Sequence, residues 1–217
     1  MSLALLICSD AEEMVESEHA VELAPFEEIL VRRDQYRTIE TEILEEKSIP
    51  SLTEVLKTKS RLWIVSQVAF RLDRGEPAQH TAILDEKYIY LYDLEAEESK
   101  RIKADSRHAR PIMLLVGMGP EATYEGWLEN FDPIETITTP KSYQIKFSPK
   151  SGTVKRIVTE MSITFDLKTA FPTLIEWAQK DGTTIKTHFH STVFDEGITE
   201  DCFALLDEED EDEEEAK

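Results

Sequence analysis

The strongest constraint on the fold is the alternation of side chains along residues 183–193. Their period of two is that of a β-strand with one face buried and the other in solvent. A hairpin signal, Asp181-Gly182, comes directly before it. One face would carry Ile185, Thr187, Phe189, Ser191 and Val193, and the other Thr184, Lys186, His188, His190 and Thr192.

Other segments have the same character and follow one another closely. Between residues 36 and 43, Ile39, Thr41 and Ile43 alternate with Glu40 and Glu42. Connections of a few residues favour antiparallel pairing, because parallel strands need crossovers of a dozen or more. The sequence therefore predicts an antiparallel meander in a mainly β (α+β) fold, with further strands at residues 60–65, 69–74, 79–84, 88–92, 143–147, 162–166 and 173–178.

Two helices are predicted to accompany the sheet. Residues 23–34 place Pro25 in a first turn and Phe26, Ile29 and Leu30 on one face, as in a short amphipathic helix. The compact apolar run at residues 110–116, which contains Ile112, is interpreted as a short helix that plugs the sheet. The mixed stretch at residues 119–140 receives no assignment.

The charge of the chain limits its partners. The formal charge of −21 over 217 residues argues against binding a nucleic-acid backbone, which needs a positive surface. Residues 207–217 carry −8 of that charge and have no apolar face, so they are predicted to be a disordered acidic tail. A tether for a basic partner and mimicry of nucleic acid are the alternatives for the tail.

The first residues leave the cellular location open. Residues 3–8 are apolar and residues 9–11 have the small-x-small form of a signal-peptidase site, but a basic n-region is missing. Residues 1–22 are therefore interpreted as an extension or a remnant of a signal peptide, and residues 23–206 as one domain. The location is periplasmic if the signal is real and cytoplasmic if it is not. Nothing else is apolar for long enough to span a membrane, so an integral membrane protein is not expected.

Signatures of catalysis are missing from the sequence. It contains no phosphate-binding loop, dinucleotide fingerprint, nucleophile elbow or HExxH pair, so we expect neither an enzyme nor a cofactor. His188 and His190 share a strand face and could chelate an ion with a third ligand. Two solvent-facing polar residues are the simpler interpretation, and no metal is expected.

In their order along the chain, these elements resemble the LolA-like family of periplasmic outer-membrane lipoprotein carriers. The segments that carry the resemblance are residues 60–64, 69–72, 88–93, 143–150, 163–166 and 181–189. The resemblance implies an unclosed half-barrel with short helices over its open side and an apolar cavity inside. Such carriers hold the acyl chains of a lipoprotein and pass it between donor and acceptor proteins without catalysis.

Strand parity then predicts the residues that line the cavity. A filled core remains the alternative, because a packed sheet face and a hollow one have the same pattern. One departure from the family is Ser66, which stands where the carriers have an arginine at the mouth of the barrel. The predicted ligand-binding residues are Ile29, Leu62, Ile64, Phe70, Leu72 and Ile112.

Three hypotheses follow for the function. The first is a carrier of lipid or lipoprotein in the periplasm. The second is a cytoplasmic acidic protein that binds a basic protein partner, and the third is an enzyme on the same half-barrel.

Overall fold

The structure is a computed structural model that describes residues 21–85, 87–106, 109, 113, 117–119, 122–150, 155 and 158–206. Eleven strands and two helices organise the described chain. The helices are α1 (Ala24–Arg33) and α2 (Tyr124–Asn130). The strands are β1 (Thr38–Ser48), β2 (Leu56–Val65), β3 (Ala69–Arg74), β4 (His80–Asp85), β5 (Tyr88–Asp93), β6 (Glu98–Lys103), β7 (Phe131–Thr138), β8 (Ser142–Pro149), β9 (Val158–Asp166), β10 (Pro172–Gln179) and β11 (Thr184–Phe194).

All eleven strands form one antiparallel sheet that does not close into a barrel. Its order is β6-β5-β4-β3-β2-β1-β11-β10-β9-β8-β7, so strands that are neighbours in sequence pair with each other, except β6 and β7, and β1 joins the two halves by pairing with β11. The free edges are β6 and β7. The predicted mainly β fold, with an unclosed antiparallel sheet and short helices, is confirmed.

The helix α1 forms where the sequence predicts it. Pro25 lies in its first turn. Arg32 and Arg33 lie in its last turn, where their positive charges interact favourably with the negative end of the helix dipole. Phe26, Ile29 and Leu30 are buried on one face against α2 and β8. Of the predicted plug helix at residues 110–116, the structure describes only Met113, which is helical; Ile112 lies outside the described residues.

The core lies on the concave face of the sheet. Alternate residues of the central strands point into it, so that Ile39, Thr41 and Ile43 are buried as the alternation predicts. Tyr143 and Phe147 on β8 are also fully buried, and the two helices cover this side of the sheet.

The predicted alternation of β11 ends at Ser191. There a bulge places two residues of β11 opposite Thr41, and Ser191 takes a φ of 50°. The bulge moves Val193 to the outer face, opposite Glu40, so its predicted place beside Phe189 is wrong. Phe194 faces inward instead and stacks on Tyr36 with ring centroids 4.2 Å apart.

The C-terminal part of the described chain crosses the outer face of the sheet. A 3-10 turn (Glu200–Phe203) packs on β3 and β4, and Arg71 Nη1 donates to the carbonyl of Cys202 at 3.1 Å. Arg71 also pairs with Asp73 at 2.8 Å, and its side chain is only 21% exposed. Strand parity alone would place Arg71 in water, beside the inward-facing Phe70 and Leu72, but this segment covers it.

Candidate ligand site inside the half-barrel

Five predicted site residues meet on the concave face. Leu62, Ile64 and Phe70 are at most 4% exposed, and Ile29 of α1 belongs to the same buried hydrophobic cluster. Leu72 opposes Leu62 across the β2–β3 ladder and is half-buried. The sheet thus brings these side chains into one apolar cluster, and whether they bind a ligand is addressed below.

The space inside this cluster is small. A cavity of about 40 Å³ lies between α1 and strands β9–β11, with Leu62 and Ile64 in its wall. A water molecule occupies about 30 Å³ in the liquid, whereas pockets for small-molecule ligands measure roughly 300–1,000 Å³. The interior is packed in this conformation and would have to open to admit an acyl chain.

Aromatic rings fill most of the interior. Phe26 of α1 lies with its ring centroid 5.6–6.1 Å from those of Tyr124, Trp127, Phe147 and Phe165. Trp127 stacks on Phe147 at 5.4 Å, and its buried Nε1 has no hydrogen-bond partner among the described residues. Phe26 is therefore the side chain that α1 would withdraw if the interior opened.

A second, larger space continues from the cluster along the concave face. It is an open groove of about 530 Å³ over strands β3–β6. Leu72, Ala82 and Leu91 oppose one another in successive strands and form its apolar floor. Charged and polar side chains surround the floor: Arg74, His80, Asp93, Glu98 and Lys100.

Arg33 connects the end of α1 to the chain before α2. Its side chain is 11% exposed, pairs with Asp34 at 2.8 Å and donates from Nη2 to the carbonyl of Ala122 at 3.4 Å. It also lines the small cavity, next to Gly117. Ser66, at the position of the family's mouth arginine, lies in the β2–β3 turn, where its N–H donates to the carbonyl of Arg37.

Sequence reasoning missed Arg33 and the walls formed by β9–β11. Those walls include Met161, Ile163 and Ile175, whose burial follows from strand parity once β9 and β10 are placed. The role of Arg33 has no local signal, because a basic residue in the last turn of a helix usually faces solvent.

The outer face contains the candidate metal ligands. His188 and His190 stack with ring centroids 5.9 Å apart, and His188 Nε2 lies 3.7 Å from Glu46 Oε2. Within the described part of the chain, no group of three or more His, Cys, Asp or Glu side chains is arranged to hold a metal ion. The neighbouring Lys57 donates a hydrogen bond to Glu46 and so lowers the pKa of that carboxyl.

The fold belongs to a class of open antiparallel half-barrels that is also found among solved structures. An uncharacterised conserved protein from Thermus thermophilus superposes with a TM-score of 0.52 at 11% identity, covering 83% of this chain and 93% of that one. Neither a family model nor a curated protein matches the sequence.

Two further similar structures have more specific names. A LolA superfamily protein from Nitrosomonas europaea has a TM-score of 0.44 at 7% identity, covering 82% of this chain and 96% of that one. The lipoprotein LppX of Mycobacterium tuberculosis has a TM-score of 0.48 at 8% identity, with the same coverage of both chains. A protein named as a member of the LolA superfamily, which this sequence resembles, is thus among the structures of similar fold.

No helix among the described residues is both long and apolar enough to cross a membrane.

Proposed function

We propose that this protein is a non-catalytic binding protein or carrier that holds the acyl chains of a lipid or a lipid-modified protein against its concave face. The observation that carries the proposal is the groove over β3–β6. Its floor of Leu72, Ala82 and Leu91 continues the row that starts at the buried Leu62. Its volume of about 530 Å³ falls in the range of ligand sites.

The groove is suited to an amphipathic ligand. An acyl chain needs a concave apolar surface, which the floor supplies, and a polar headgroup needs partners at the rim. His80 Nδ1 lies 3.8 Å from Asp93 Oδ2 on that rim, and both side chains are about half exposed. A hydrocarbon chain on the floor would therefore place its head beside charged groups that are still in contact with water.

Longer chains would require the interior to open as well. Ile29, Leu62, Ile64 and Phe70 would become ligand contacts if α1 moved outward and withdrew Phe26. The bond from Arg33 to Ala122 ties α1 to the chain before α2 and would resist that movement. The carriers have an arginine at the mouth of the barrel, where this protein has Ser66. We propose that Arg33 instead holds α1 closed over the interior.

The test of the binding site is a charge on the floor of the groove. Leu72→Glu should leave the protein folded, because Leu72 is half-buried beside open solvent and its carboxylate can remain hydrated. The same charge should weaken binding of a fluorescent fatty-acyl probe by about tenfold or more. Circular dichroism melts and probe titrations on the same samples separate folding from binding.

Val68→Glu is the matched control. Val68 is 64% exposed in the β2–β3 turn, outside the groove, so the same substitution there should change neither property. Absence of probe binding by the unaltered protein would refute the carrier proposal. Unchanged binding by a folded Leu72→Glu variant would remove Leu72 from the site.

We also propose that the protein acts in the periplasm, between donor and acceptor proteins. The resemblance to lipoprotein carriers supports this location, as do the apolar residues 3–8 and the small-x-small step that follows. Fractionation of the source cells tests it: the protein should be released by osmotic shock. Retention with cytoplasmic markers would favour the second candidate, an acidic protein that binds a basic partner, which the charge of −21 supports.

A further inference from the structure

The edge strand β6 is basic, although the protein as a whole is acidic. Over six residues it contains Lys100, Arg101 and Lys103 with one carboxylate, Glu98, while the whole chain has 24 basic and 45 acidic residues. Lys87 adds a fourth cation, because its carbonyl accepts a hydrogen bond from Ala104 directly after the strand. All four side chains are exposed.

The lysines of this cluster have no acidic partner among the described residues. Within the described residues, no carboxylate lies within 4.0 Å of Lys87, Lys100 or Lys103. Elsewhere on the sheet most strand lysines are paired with carboxylates: Lys57, Lys59, Lys146 and Lys186. In a protein with nearly twice as many acids as bases, three exposed lysines along one edge that pair with no described carboxylate form a surface that attracts an anion.

The path of the C-terminal segment leads to this edge. The 3-10 turn packs on β3 and β4, and the N–H of Leu206 then donates to the hydroxyl of Tyr92 on β5 at 3.3 Å. Tyr92 opposes Ser99 of β6, and Arg101 and Lys103 follow on the same outer face, while Lys100 opposes Leu91 on the concave side of this edge strand. Adjacent strands are about 4.8 Å apart, so one more residue in this direction brings the chain over β6.

The segment that follows Leu206 has the complementary charge. Residues 207–215 are nine consecutive acidic residues. An extended chain of nine residues spans up to about 30 Å, and the four residues from Tyr92 to Tyr88 along β5 span only about 13 Å. The acidic run can therefore reach Lys103 and Lys87 without displacing any described residue.

We infer that residues 207–215 fold back onto the basic edge formed by Lys87, Lys100, Arg101 and Lys103. The contact joins exposed charges, so it is screened by salt and leaves the stability of the domain nearly unchanged. It covers the free edge of β6, which would otherwise be available to another strand or to an anionic surface. This inference does not depend on the lipid-binding proposal.

Zero-length carbodiimide cross-linking of the full chain, followed by mass spectrometry, tests the contact. We expect bonds between tail carboxylates and Lys87, Lys100 or Lys103 to exceed several-fold those to Lys141, Lys168 and Lys180. These three controls are also exposed and have no carboxylate partner within the described residues. The excess should disappear in 1 M NaCl, where the Debye length is about 3 Å.

Two further samples make the outcome decisive. The triple variant Lys100→Glu, Arg101→Glu and Lys103→Glu should lose the cross-links at Lys87 while keeping its thermal midpoint, because the substituted side chains are exposed. In an equal mixture of 15N-labelled and unlabelled protein, the two peptides of each cross-link should carry the same isotope, because the contact is within one chain.

Mixed-isotope pairs would overturn the inference in favour of a second copy as occupant. Cross-links spread evenly over all exposed lysines, or preserved in the triple variant, would overturn it outright.

Discussion

Tyr143 is the tyrosine that the fold buries most completely. Its ring is inaccessible to solvent, and its hydroxyl donates to the carbonyl of Glu22 at 2.8 Å. Burial raises the pKa of Tyr143 well above its usual value of about 10, because the phenolate would lose its hydration. The raised pKa of Tyr143 does not reduce the free energy of unfolding below pH 10, where the tyrosine is neutral in both states. At higher pH the tyrosine ionises only in the unfolded chain, so stability is lost as the pH rises.

The expected result is that Tyr143 titrates only when the protein unfolds. Absorbance at 295 nm, followed with circular dichroism during an alkaline titration, measures both events. Tyr143→Phe should remove the late step and reduce the loss of stability above pH 10, whereas Tyr90→Phe, at a half-exposed position, should not. Ionisation of Tyr143 while the protein is still folded would contradict the assignment.

Thr41 fixes the bulge between β1 and β11. Its side chain is inaccessible to solvent, and Oγ1 lies 3.1 Å from the carbonyl of His190 and 2.9 Å from Thr192 Oγ1. Thr41→Val keeps the shape but leaves these polar groups without their partner, which should reduce the free energy of unfolding by about 1–3 kcal/mol. Urea denaturation measures the change. Thr41→Ser, which keeps the hydroxyl, is the control, and an equal loss in both variants would show that packing matters instead.

Gly117 allows the end of α1 to approach the chain before α2. Its φ is +73°, and a Cβ at this position would lie 3.0 Å from Arg33 Nη1. Gly117→Ala should therefore destabilise the protein by about 1–2 kcal/mol from backbone strain and crowding, a loss of several degrees in thermal midpoint. Gly197→Ala is the matched control, since a Cβ there has no neighbour within 4 Å. Equal midpoints in the two variants would contradict the close contact.

At the scale of the elements, the sequence predicts strands with a buried face and misses those without one. The edge strand β6 is exposed along nearly all of its length, and β7 contains Pro133 beside a shift in register, so neither has a clear alternation. The phase of β11 beyond Ser191 could not be predicted, because a bulge is set by the partner strand. Strand parity also cannot show that Arg71 is covered, since nothing local indicates that a later segment crosses it.

The candidate site was predicted in part for the same reason. Parity places Leu62, Ile64, Phe70 and Leu72 on the concave face, because a strand has only two faces. It cannot report that Phe26 fills the interior, nor that Leu72 lies in an open groove while Ile64 lines a cavity of 40 Å³. Those distinctions depend on where the helices dock, a property of three-dimensional packing.

At the scale of the molecule, the acidic tail should contribute charge without packing. Deleting residues 207–217 removes −8 of the formal charge and no apolar surface, so the thermal midpoint should remain within about a degree at moderate salt. Differential scanning calorimetry of the two proteins measures this. A loss of several degrees would show that the tail packs on the body.

The pairing of β1 with β11 determines when the molecule can be completed. Ile39 meets Phe194 and Ser48 meets Thr184, partners that are well over a hundred positions apart in the chain. A ribosome that adds about 5–20 residues per second needs on the order of ten seconds to make the intervening chain. During that interval the first six strands can pair locally, but β1 remains an open edge with Ile39 and Ile43 only partly enclosed. The nascent protein therefore depends longest on protection from aggregation at the strand that later becomes the middle of its sheet.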